Sequence, residues 1–307
     1  MENIRIIFMG TPKFGVPILK ALIDNYHLVG VITQPDKSFN ISPIKKLALE
    51  FNLPLFQPED ITKEEGLIKD LNPDLIITCA YGQFISKNIL DYPKFGCLNV
   101  HASLLPKLRG GAPIHRAIIN GYHKTGVTIM KTILKMDAGD IISQIETEIK
   151  EDDTVGTLHD RLSLLGRDLL IKTLPKIIKG EVKYLKQDHS LATYAPILTK
   201  NDEKIDFNKN KREIINLIRG LNPYPGAYAL LDNKVYKIWK ARMGENGFMN
   251  YLNGEIIKIY DDGLGVKVGN GEIIIEEIQV EGKKRLAVKD FLNGLQNKET
   301  LIGEVFQ

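Results

Sequence analysis

The sequence predicts an α/β protein in which a mainly parallel sheet is followed by a smaller, β-rich domain. Short apolar runs alternate with helical patterns in the first part of the chain, and strand patterns bounded by Gly, Asn and Asp dominate the last hundred residues. The length of 307 residues also exceeds the usual size of one domain. We predict a first domain over residues 1–180, a linker over residues 181–204 and a β-barrel or sandwich domain over residues 205–307.

Five strand patterns, with helical patterns between them, define the first domain. The run "IRIIFMG" leads into a turn at Gly10-Thr11-Pro12 and an amphipathic helix, "KFGVPILKALIDN". Further strands are predicted at "HLVGVIT", "LPLFQ", "PDLIITCAYG" and the apolar segment that leads into "NVHASLLP", and a second helix at "SPIKKLALEFN". Open α/β sheets bind ligands at the carboxyl ends of their strands, so we expect a site there.

The pattern changes after the fifth strand. "TGVTIMKTILK" and "DIISQIETEI" alternate around a turn at Met136–Gly139, which predicts an antiparallel hairpin. A long helix is predicted from a Thr154 cap to a stop at Gly180. One helix, "KREIINLIRGL", and strands at "KVYKIWKA", "NGEIIKIY", "GLGVKVG" and "GEIIIEEIQ" follow in the second domain.

Composition and charge narrow the functional classes only slightly. The chain is 43% hydrophobic and 26% charged with a net charge of +3, which suits an ordinary enzyme as well as a nucleic-acid binder. Cys79 and Cys97 lie in apolar runs without zinc-type spacing, so we expect buried free thiols and no metal. The first apolar run is too short for a signal peptide or a membrane span, so we expect a cytoplasmic protein with no membrane partner.

Two common nucleotide-binding motifs do not fit the sequence. "GTPKFG" lacks the middle glycine of the dinucleotide fingerprint, and the acidic residue at the expected distance, Asp36, lies in "TQPDK". The sequence contains no phosphate-binding GxxxxGK[ST] motif either. A nicotinamide-dependent dehydrogenase is therefore disfavoured.

Asn99 and His101 are the first candidate site residues. They flank Val100, so on an extended strand both side chains point to one face. An amide and an imidazolium there can donate hydrogen bonds to an oxygen that gains negative charge, as a tetrahedral acyl-transfer intermediate requires. The alternative is structural: Asn99 ends the strand through local backbone bonds, and His101 is a satisfied, half-buried histidine.

Asp137 lies at the predicted hairpin turn. A carboxylate there can hold the histidine charged and oriented, or accept a proton through water. It can equally be a turn-forming aspartate, and Asp140 competes for the catalytic role. Spacing alone does not choose between these interpretations.

The segment from Ser103 to Gly111 supplies further candidates. "SLLP" is interpreted as a turn with apolar walls and free backbone polar groups, suited to a planar heteroaromatic ligand or to plain loop packing. Arg109, followed by two glycines, can hold an anion or be a solvated side chain. The remaining histidines considered have no metal-ligand spacing and are interpreted as structural or exposed: His115, His123 and His159.

Five motifs together carry a resemblance to a known family. "FMGTP", "TQPD", "NVHASLLPKLRGGAPIHRAI", "MDAGDII" and "IRGLNPYPGAY" occur in this order over nearly the whole chain. The sequence resembles the methionyl-tRNA formyltransferases, which belong to the folate-dependent formyltransferases. The resemblance implies a Rossmann-like N-terminal domain that uses 10-formyltetrahydrofolate, and an OB-like open β-barrel that helps to hold initiator methionyl-tRNA. We expect a monomeric enzyme that formylates the methionine α-amine for translation initiation.

The resemblance also assigns roles to residues of this sequence. The catalytic set of the family falls on Asn99, His101 and Asp137. Its folate-binding signature falls on Ser103, Leu104, Leu105 and Pro106. The turn near the acceptor methionine falls on Gly10, Thr11 and Pro12.

One segment departs from the family pattern. Relatives carry a basic, Gly-rich insertion after "TQPD", and most of it is absent from "TQPDKSFNISPIKKLALE". The route of tRNA recognition is therefore open. Candidates for anion or tRNA contacts, each equally interpretable as a solvated cation, are Arg109, Lys37, Lys45, Lys46, Lys283, Lys284 and Arg285.

Two other functions fit parts of the sequence. A formyltransferase acting on a sugar-nucleotide amine would share the N-terminal motifs, but "NPYPGAY", the barrel-like C-terminus and the lack of a third domain weigh against it. A non-catalytic RNA-binding protein would have no need of an oxyanion site, so the intact set of Asn99, His101 and Asp137 argues against that function.

Overall fold

The computed structural model describes residues 4–36 and 40–307, and the chain divides into two compact units. The first contains the chain up to Pro113, Lys124–Glu148 and His159–Ile197. The second contains Ile114–His123, Ile149–Leu158 and Leu198–Gln307. Residues 181–197 of the predicted linker thus belong to the first unit.

A seven-stranded sheet organises the first unit. Its strands are β1 Arg5–Gly10, β2 His27–Ile32, β3 Leu55–Phe56, β4 Leu75–Cys79, β5 Cys97–His101, β6 Lys124–Lys131 and β7 Ile141–Glu148. Their order across the sheet is β3-β2-β1-β4-β5-β6-β7, with parallel pairing up to β5 and antiparallel pairing of β6 and β7. The predicted Rossmann-like, mainly parallel sheet and its hairpin are confirmed.

Helices alternate with these strands along the chain. They are α1 Val16–Asn25, α2 Pro43–Glu50, α3 Glu65–Leu71, α4 Lys87–Asp91, α5 Pro113–Ile119 and α6 Val155–Ile178. Every residue of β4 is buried, as its continuous hydrophobicity predicts for a strand covered on both faces. Thr154 Oγ1 accepts a hydrogen bond from Thr157 N (3.3 Å) just before α6, and Gly180 beyond its end has φ +71°.

The second unit contains an antiparallel sheet and shorter helices. Its elements are α7 Lys200–Glu203, α8 Lys211–Gly220, β8 Ala227–Leu231, β9 Lys234–Asn246, β10 Ile256–Tyr260, β11 Gly263–Val268, β12 Gly271–Val280, β13 Leu286–Ala287 and α9 Val288–Asn293. The strand order is β10-β11-β12-β9-β8, and β13 pairs with β12. Sequence analysis did not predict β8, β13 or α9.

The C-terminal segment, residues 303–307, joins the two edges of this sheet. Ile256 N donates to Glu304 O (2.8 Å) at the β10 edge, and Leu230 and Gln307 exchange two backbone hydrogen bonds of 2.8 Å at the β8 edge. Sheet edges carry unpaired backbone N–H and C=O groups, so this segment supplies hydrogen-bond partners for such groups on β8 and β10. The predicted β-barrel domain is confirmed, with the tail as its closing element.

The structure also describes the two cysteines, the apolar character of the helices and the distribution of possible metal ligands. Cys79 and Cys97 are free and buried, as predicted, and burial raises the pKa of the Cys97 thiol to about 12. Across the described residues, no helix is long and apolar enough to cross a membrane. No group of three or more His, Cys, Asp or Glu side chains suited to a metal ion occurs in the same part of the chain.

Candidate active site

Strand β5 positions Asn99 and His101. Both lie within the strand, and Val100 between them is buried. Asn99 is opposite Thr78 of β4, and His101 is opposite Thr128 of β6. The alternation of a strand therefore puts the amide and the imidazole on one face, as their spacing predicts.

Asp137 lies against this pair. Its Oδ1 is 3.5 Å from Asn99 Nδ2 and 3.6 Å from His101 Nδ1, and its Oδ2 accepts a hydrogen bond from Gly110 N (2.8 Å). Asp140 instead contributes its backbone oxygen to Lys131 N (2.9 Å). The carboxylate that meets the amide and the imidazole is thus that of Asp137.

Neighbouring groups fix how the amide and the imidazole are oriented. Thr78 Oγ1 lies 3.0 Å from Asn99 Oδ1 and can donate to it, so Asn99 Nδ2 faces Asp137. His101 Nε2 lies 3.0 Å from Leu108 O. A carbonyl oxygen only accepts, so the Nε2 nitrogen carries a proton and Nδ1 faces the carboxylate. An imidazolium would carry its second proton at Nδ1, on the side of Asp137.

The connection that carries Asp137 is longer than predicted. The strands end at Lys131 and resume at Ile141, so the predicted turn lies inside a longer connection, where Ala138 N donates to Lys135 O (3.3 Å). Asp137 has φ +49°, in the left-handed region that few non-glycine residues adopt. A Cβ at Gly139 would lie 1.8 Å from Lys131 O, so only glycine allows the backbone to approach Lys131 this closely.

Hydrogen bonds occupy the backbone of the Ser103–Pro106 turn. Ser103 Oγ donates to Lys107 O (2.7 Å), Thr128 Oγ1 donates to Ser103 O (2.7 Å), and Gln144 Nε2 donates to Leu105 O (2.9 Å). The expectation of free backbone groups is therefore wrong at Ser103 and Leu105. These two side chains are also buried, whereas Leu104 and Pro106 keep partial exposure.

The turn at Gly10-Thr11-Pro12 follows β1 directly. Thr11 Oγ1 accepts a hydrogen bond from Gln34 N (3.2 Å), which ties the turn to the "TQPD" segment. A Cβ at Gly10 would lie 2.7 Å from Cys79 O at the end of β4. The carboxyl ends of β1 and β4 therefore pack closely at this turn, and its role near methionine stays a prediction.

Arg109 is a buried framework residue. It is 2% exposed, and its guanidinium donates to Gln187 Oε1 from Nε (3.2 Å) and Nη2 (2.6 Å) and to His189 Nδ1 (2.9 Å). The interpretation of Arg109 as a solvated cation is wrong. An anion or tRNA contact here would have to reach a buried guanidinium.

Lys45 and Lys46, the described cations that follow "TQPD", differ in exposure, since Lys45 is half-buried and Lys46 is exposed. Lys45 pairs with Asp36 and donates to Gln57 Oε1 (2.7 Å), and its hydrogen bond to Asp36 holds the pKa of that carboxyl below its usual value. Lys46 is exposed, and Lys37 lies outside the described residues. Lys45 is therefore partly neutralised by its own neighbour.

The basic cluster of the second unit, Lys283, Lys284 and Arg285, is exposed. Arg285 Nε donates to Glu277 Oε2 (2.6 Å), and its guanidinium lies 5.0 Å from the centre of the Trp239 ring. Lys283 and Lys284 are exposed beside it. The contact of these exposed cations with tRNA stays a prediction.

Sequence analysis missed four polar residues that organise this region: Thr78, Thr128, Gln144 and Gln187. Thr78 and Thr128 lie on the strands beside the Asn-x-His segment and are the cross-strand neighbours of Asn99 and His101, while Gln144 lies one strand further on, opposite Thr128. A polar residue within an apolar strand pattern was the available signal for them. Gln187 lies in the aperiodic segment predicted as a linker, where no local pattern marks it.

Comparison with known proteins identifies the class. Residues 3–174 match the family described as formyl transferase, and residues 197–296 match the formyl transferase C-terminal domain. The chain is 48% identical over 300 residues to methionyl-tRNA formyltransferase of Bacillus licheniformis, covering 94% of this chain and 95% of that protein. It is 45% identical to the Streptococcus uberis protein of the same name, over 98% and 99% of the two chains. The chain belongs to the methionyl-tRNA formyltransferase family.

A solved structure shares the fold at lower identity. The N-formyltransferase from Helicobacter canadensis, in complex with folinic acid and dTDP-3-aminofucose, superposes with a TM-score of 0.68. The match covers 89% of this chain and 98% of that one at 21% identity, so it shows the fold alone. The predicted family, fold and enzyme class are confirmed by these comparisons, and the roles of individual site residues stay predictions.

Proposed function

We propose that this protein transfers the formyl group of 10-formyltetrahydrofolate to the α-amine of methionine on initiator tRNA, giving N-formylmethionyl-tRNA. The observation that carries the proposal is the meeting of Asn99, His101 and Asp137 at the end of β5, with Asp137 Oδ1 within 3.6 Å of both donor nitrogens. An amide, an imidazole and a carboxylate so arranged suit acyl transfer to an amine.

The reaction needs a free amine and a stabilised oxyanion. An α-amine has a pKa of about 7.7 to 8.0, so a modest proton acceptor frees its lone pair. The amine nitrogen attacks the formyl carbon, and Asn99 Nδ2 and protonated His101 Nδ1 donate to the oxygen that becomes negative. Asp137 is the counter-charge of the imidazolium and takes the amine proton through water. The bond to folate N10 then breaks, and N10 receives a proton.

The remaining predicted residues have supporting roles. Leu104 and Pro106, which keep partial exposure, offer apolar surface to the folate ring, while Ser103 and Leu105 hold the turn in shape. The turn at Gly10–Pro12 receives the methionine end of the tRNA. Exposed lysines of the second unit contact its phosphates. We place this monomeric enzyme in the cytoplasm, where its tRNA substrate is used.

One assay tests the function. The protein is incubated with 10-formyltetrahydrofolate and either methionyl initiator tRNA or dTDP-3-aminofucose, and release of tetrahydrofolate is followed. Release only with the tRNA is expected. Release only with the aminosugar would overturn the proposal in favour of a sugar formyltransferase, and tRNA binding without release in either arm would favour a non-catalytic binder.

A further inference from the structure

We propose that Gln187 is a positioning residue that holds Asp137 in place through its backbone and through Arg109. The inference rests on the proposed function, in which the Asp137 carboxylate acts with Asn99 and His101. It assigns part of the active-site framework to the segment after α6, which lies 50 residues from Asp137 in sequence.

The amide nitrogen of Gln187 braces the connection that carries Asp137. Gln187 Nε2 donates to Asp137 O (2.9 Å) and to Gly139 O (2.7 Å), and the side chain is 7% exposed. A primary amide has two hydrogens to donate, so both are used on this connection. Asp137 has a left-handed φ of +49°, a conformation that persists only where neighbouring groups enforce it. Gln187 supplies that enforcement on the backbone side.

The amide oxygen of Gln187 is held from the other side by Arg109. Arg109 donates to Gln187 Oε1 from both Nε and Nη2, and its second partner, His189 Nδ1, is an acceptor because a guanidinium only donates. The backbone of Arg109 is itself fixed, since its N donates to Thr193 O (2.9 Å) and its O accepts from Ala195 N (2.7 Å). Gln187 is therefore anchored to a rigid, buried cation.

These bonds form a closed circuit around Asp137. Gly110, the residue after Arg109, donates its N–H to Asp137 Oδ2 (2.8 Å). The segment Arg109-Gly110 therefore contacts the carboxylate of Asp137 directly through Gly110, and the backbone of Asp137 indirectly through Arg109 and Gln187. Gly110 has φ +121°, and a Cβ there would lie 2.7 Å from Ala195 O, so only glycine fits this approach. Replacing Gln187 removes its hydrogen bonds to Asp137 O and Gly139 O while the Asp137 carboxylate itself is kept.

Only an amide satisfies both halves of the Gln187 site. Gln187→Glu keeps an oxygen for Arg109 but turns a carboxylate oxygen toward the carbonyls of Asp137 and Gly139. Gln187→Met keeps the length of the side chain and removes both the donor and the acceptor. Gln187→Glu thus tests the loss of the donor alone, and Gln187→Met tests the loss of donor and acceptor together. Gln296→Met, at an exposed glutamine, is the matched surface control.

The test measures kcat and KM for 10-formyltetrahydrofolate and methionyl initiator tRNA. A displacement of about 1 Å at a catalytic group can cost about 10²-fold, so Gln187→Met and Gln187→Glu should each lower kcat by about 10- to 100-fold. KM for the tRNA should change little, and Gln296→Met should match the native enzyme. In an Asp137→Asn background the same Gln187 changes should have almost no further effect on kcat, because the group they position is gone.

The two proposals fail in different ways. If Asp137→Asn is as active as the native enzyme, the catalytic role in the proposed function is wrong. If Asp137→Asn is inactive but both Gln187 variants keep native kcat, the positioning role is wrong while the function stands. A loss of kcat that is fully additive with Asp137→Asn would also overturn the inference, because it would mean that Gln187 acts elsewhere.

Discussion

Replacement of Asp137 by asparagine removes the charge of the candidate site with almost no change in shape. In one orientation the new amide would still accept from Gly110 N, but its Nδ2 would then face the donor Asn99 Nδ2 and, in the imidazolium form of His101, the donor His101 Nδ1. In the other orientation Nδ2 would face the Gly110 N–H. Neither orientation pairs a donor with an acceptor everywhere, so asparagine cannot reproduce the native contacts.

The size of the loss follows from the distance between the charges. Two unit charges separated by the 3.6 Å between His101 Nδ1 and Asp137 Oδ1 attract by about 5 kcal/mol at an effective dielectric constant of about 20. If that attraction stabilises the imidazolium in the transition state, its loss lowers kcat by about three orders of magnitude. This falls within the range of about 10²- to 10⁴-fold seen for acid–base groups.

The assay is single-turnover formylation of methionyl initiator tRNA at saturating 10-formyltetrahydrofolate, with thermal unfolding measured on the same samples. Asp140→Asn is the matched control, because it removes a neighbouring carboxylate while the carboxylate that contacts Asn99 and His101 is that of Asp137. We expect native rates for Asp140→Asn. A rate within tenfold of native for Asp137→Asn, or equal losses in both variants, would refute the reasoning.

Three further outcomes are expected. Gln144→Met should raise KM for 10-formyltetrahydrofolate more than it lowers kcat, because Gln144 Nε2 holds Leu105 O of the proposed folate turn; an unchanged KM in steady-state kinetics would contradict this. Asp202→Asn should destabilise the protein by about 1 kcal/mol at pH 7. A hydrogen bond from Arg116 lowers the pKa of Asp202 to about 2, so this stabilisation is complete above the unfolded value of about 4. It should vanish as pH falls from 4 to 2 in urea unfolding curves. Phe306→Ala should cost about 3–5 kcal/mol, because this side chain is 2% exposed in the barrel core; a loss below 1 kcal/mol in the same measurement would argue against barrel closure by the tail.

Local patterns predicted most of the first unit. Each of its five parallel strands was marked by an apolar run, and the alternation of Asn99, Val100 and His101 was enough to put the two polar side chains on one face. Strand β8 could have been predicted as well, because Asp232 and Asn233 form a two-residue turn with φ of 50° and 59° before β9. These two turn residues therefore mark the end of β8 in the sequence.

Contacts between distant segments could not be read in the same way. Arg109 looks like a surface cation in the sequence because charged residues are mostly exposed. Its burial depends on Gln187 and His189, which lie about 80 positions further on in an aperiodic segment. The closing role of residues 303–307 likewise depends on two sheet edges far away in sequence. Neither periodicity nor turn chemistry carries information about such partners.

The geometry of Asp137 explains why so many partners are needed to place one carboxylate. At 3.5 and 3.6 Å, its Oδ1 is near Asn99 Nδ2 and His101 Nδ1 but beyond an ordinary hydrogen-bond length, whereas its Oδ2 is held at 2.8 Å by Gly110. In the proposed mechanism, a carboxylate that closed on both nitrogens would occupy the donors that the formyl oxygen needs. Gly110 and Gln187 restrain it from opposite ends, so in the proposed mechanism it is close enough to balance the charge of the imidazolium while leaving both donors available to the substrate.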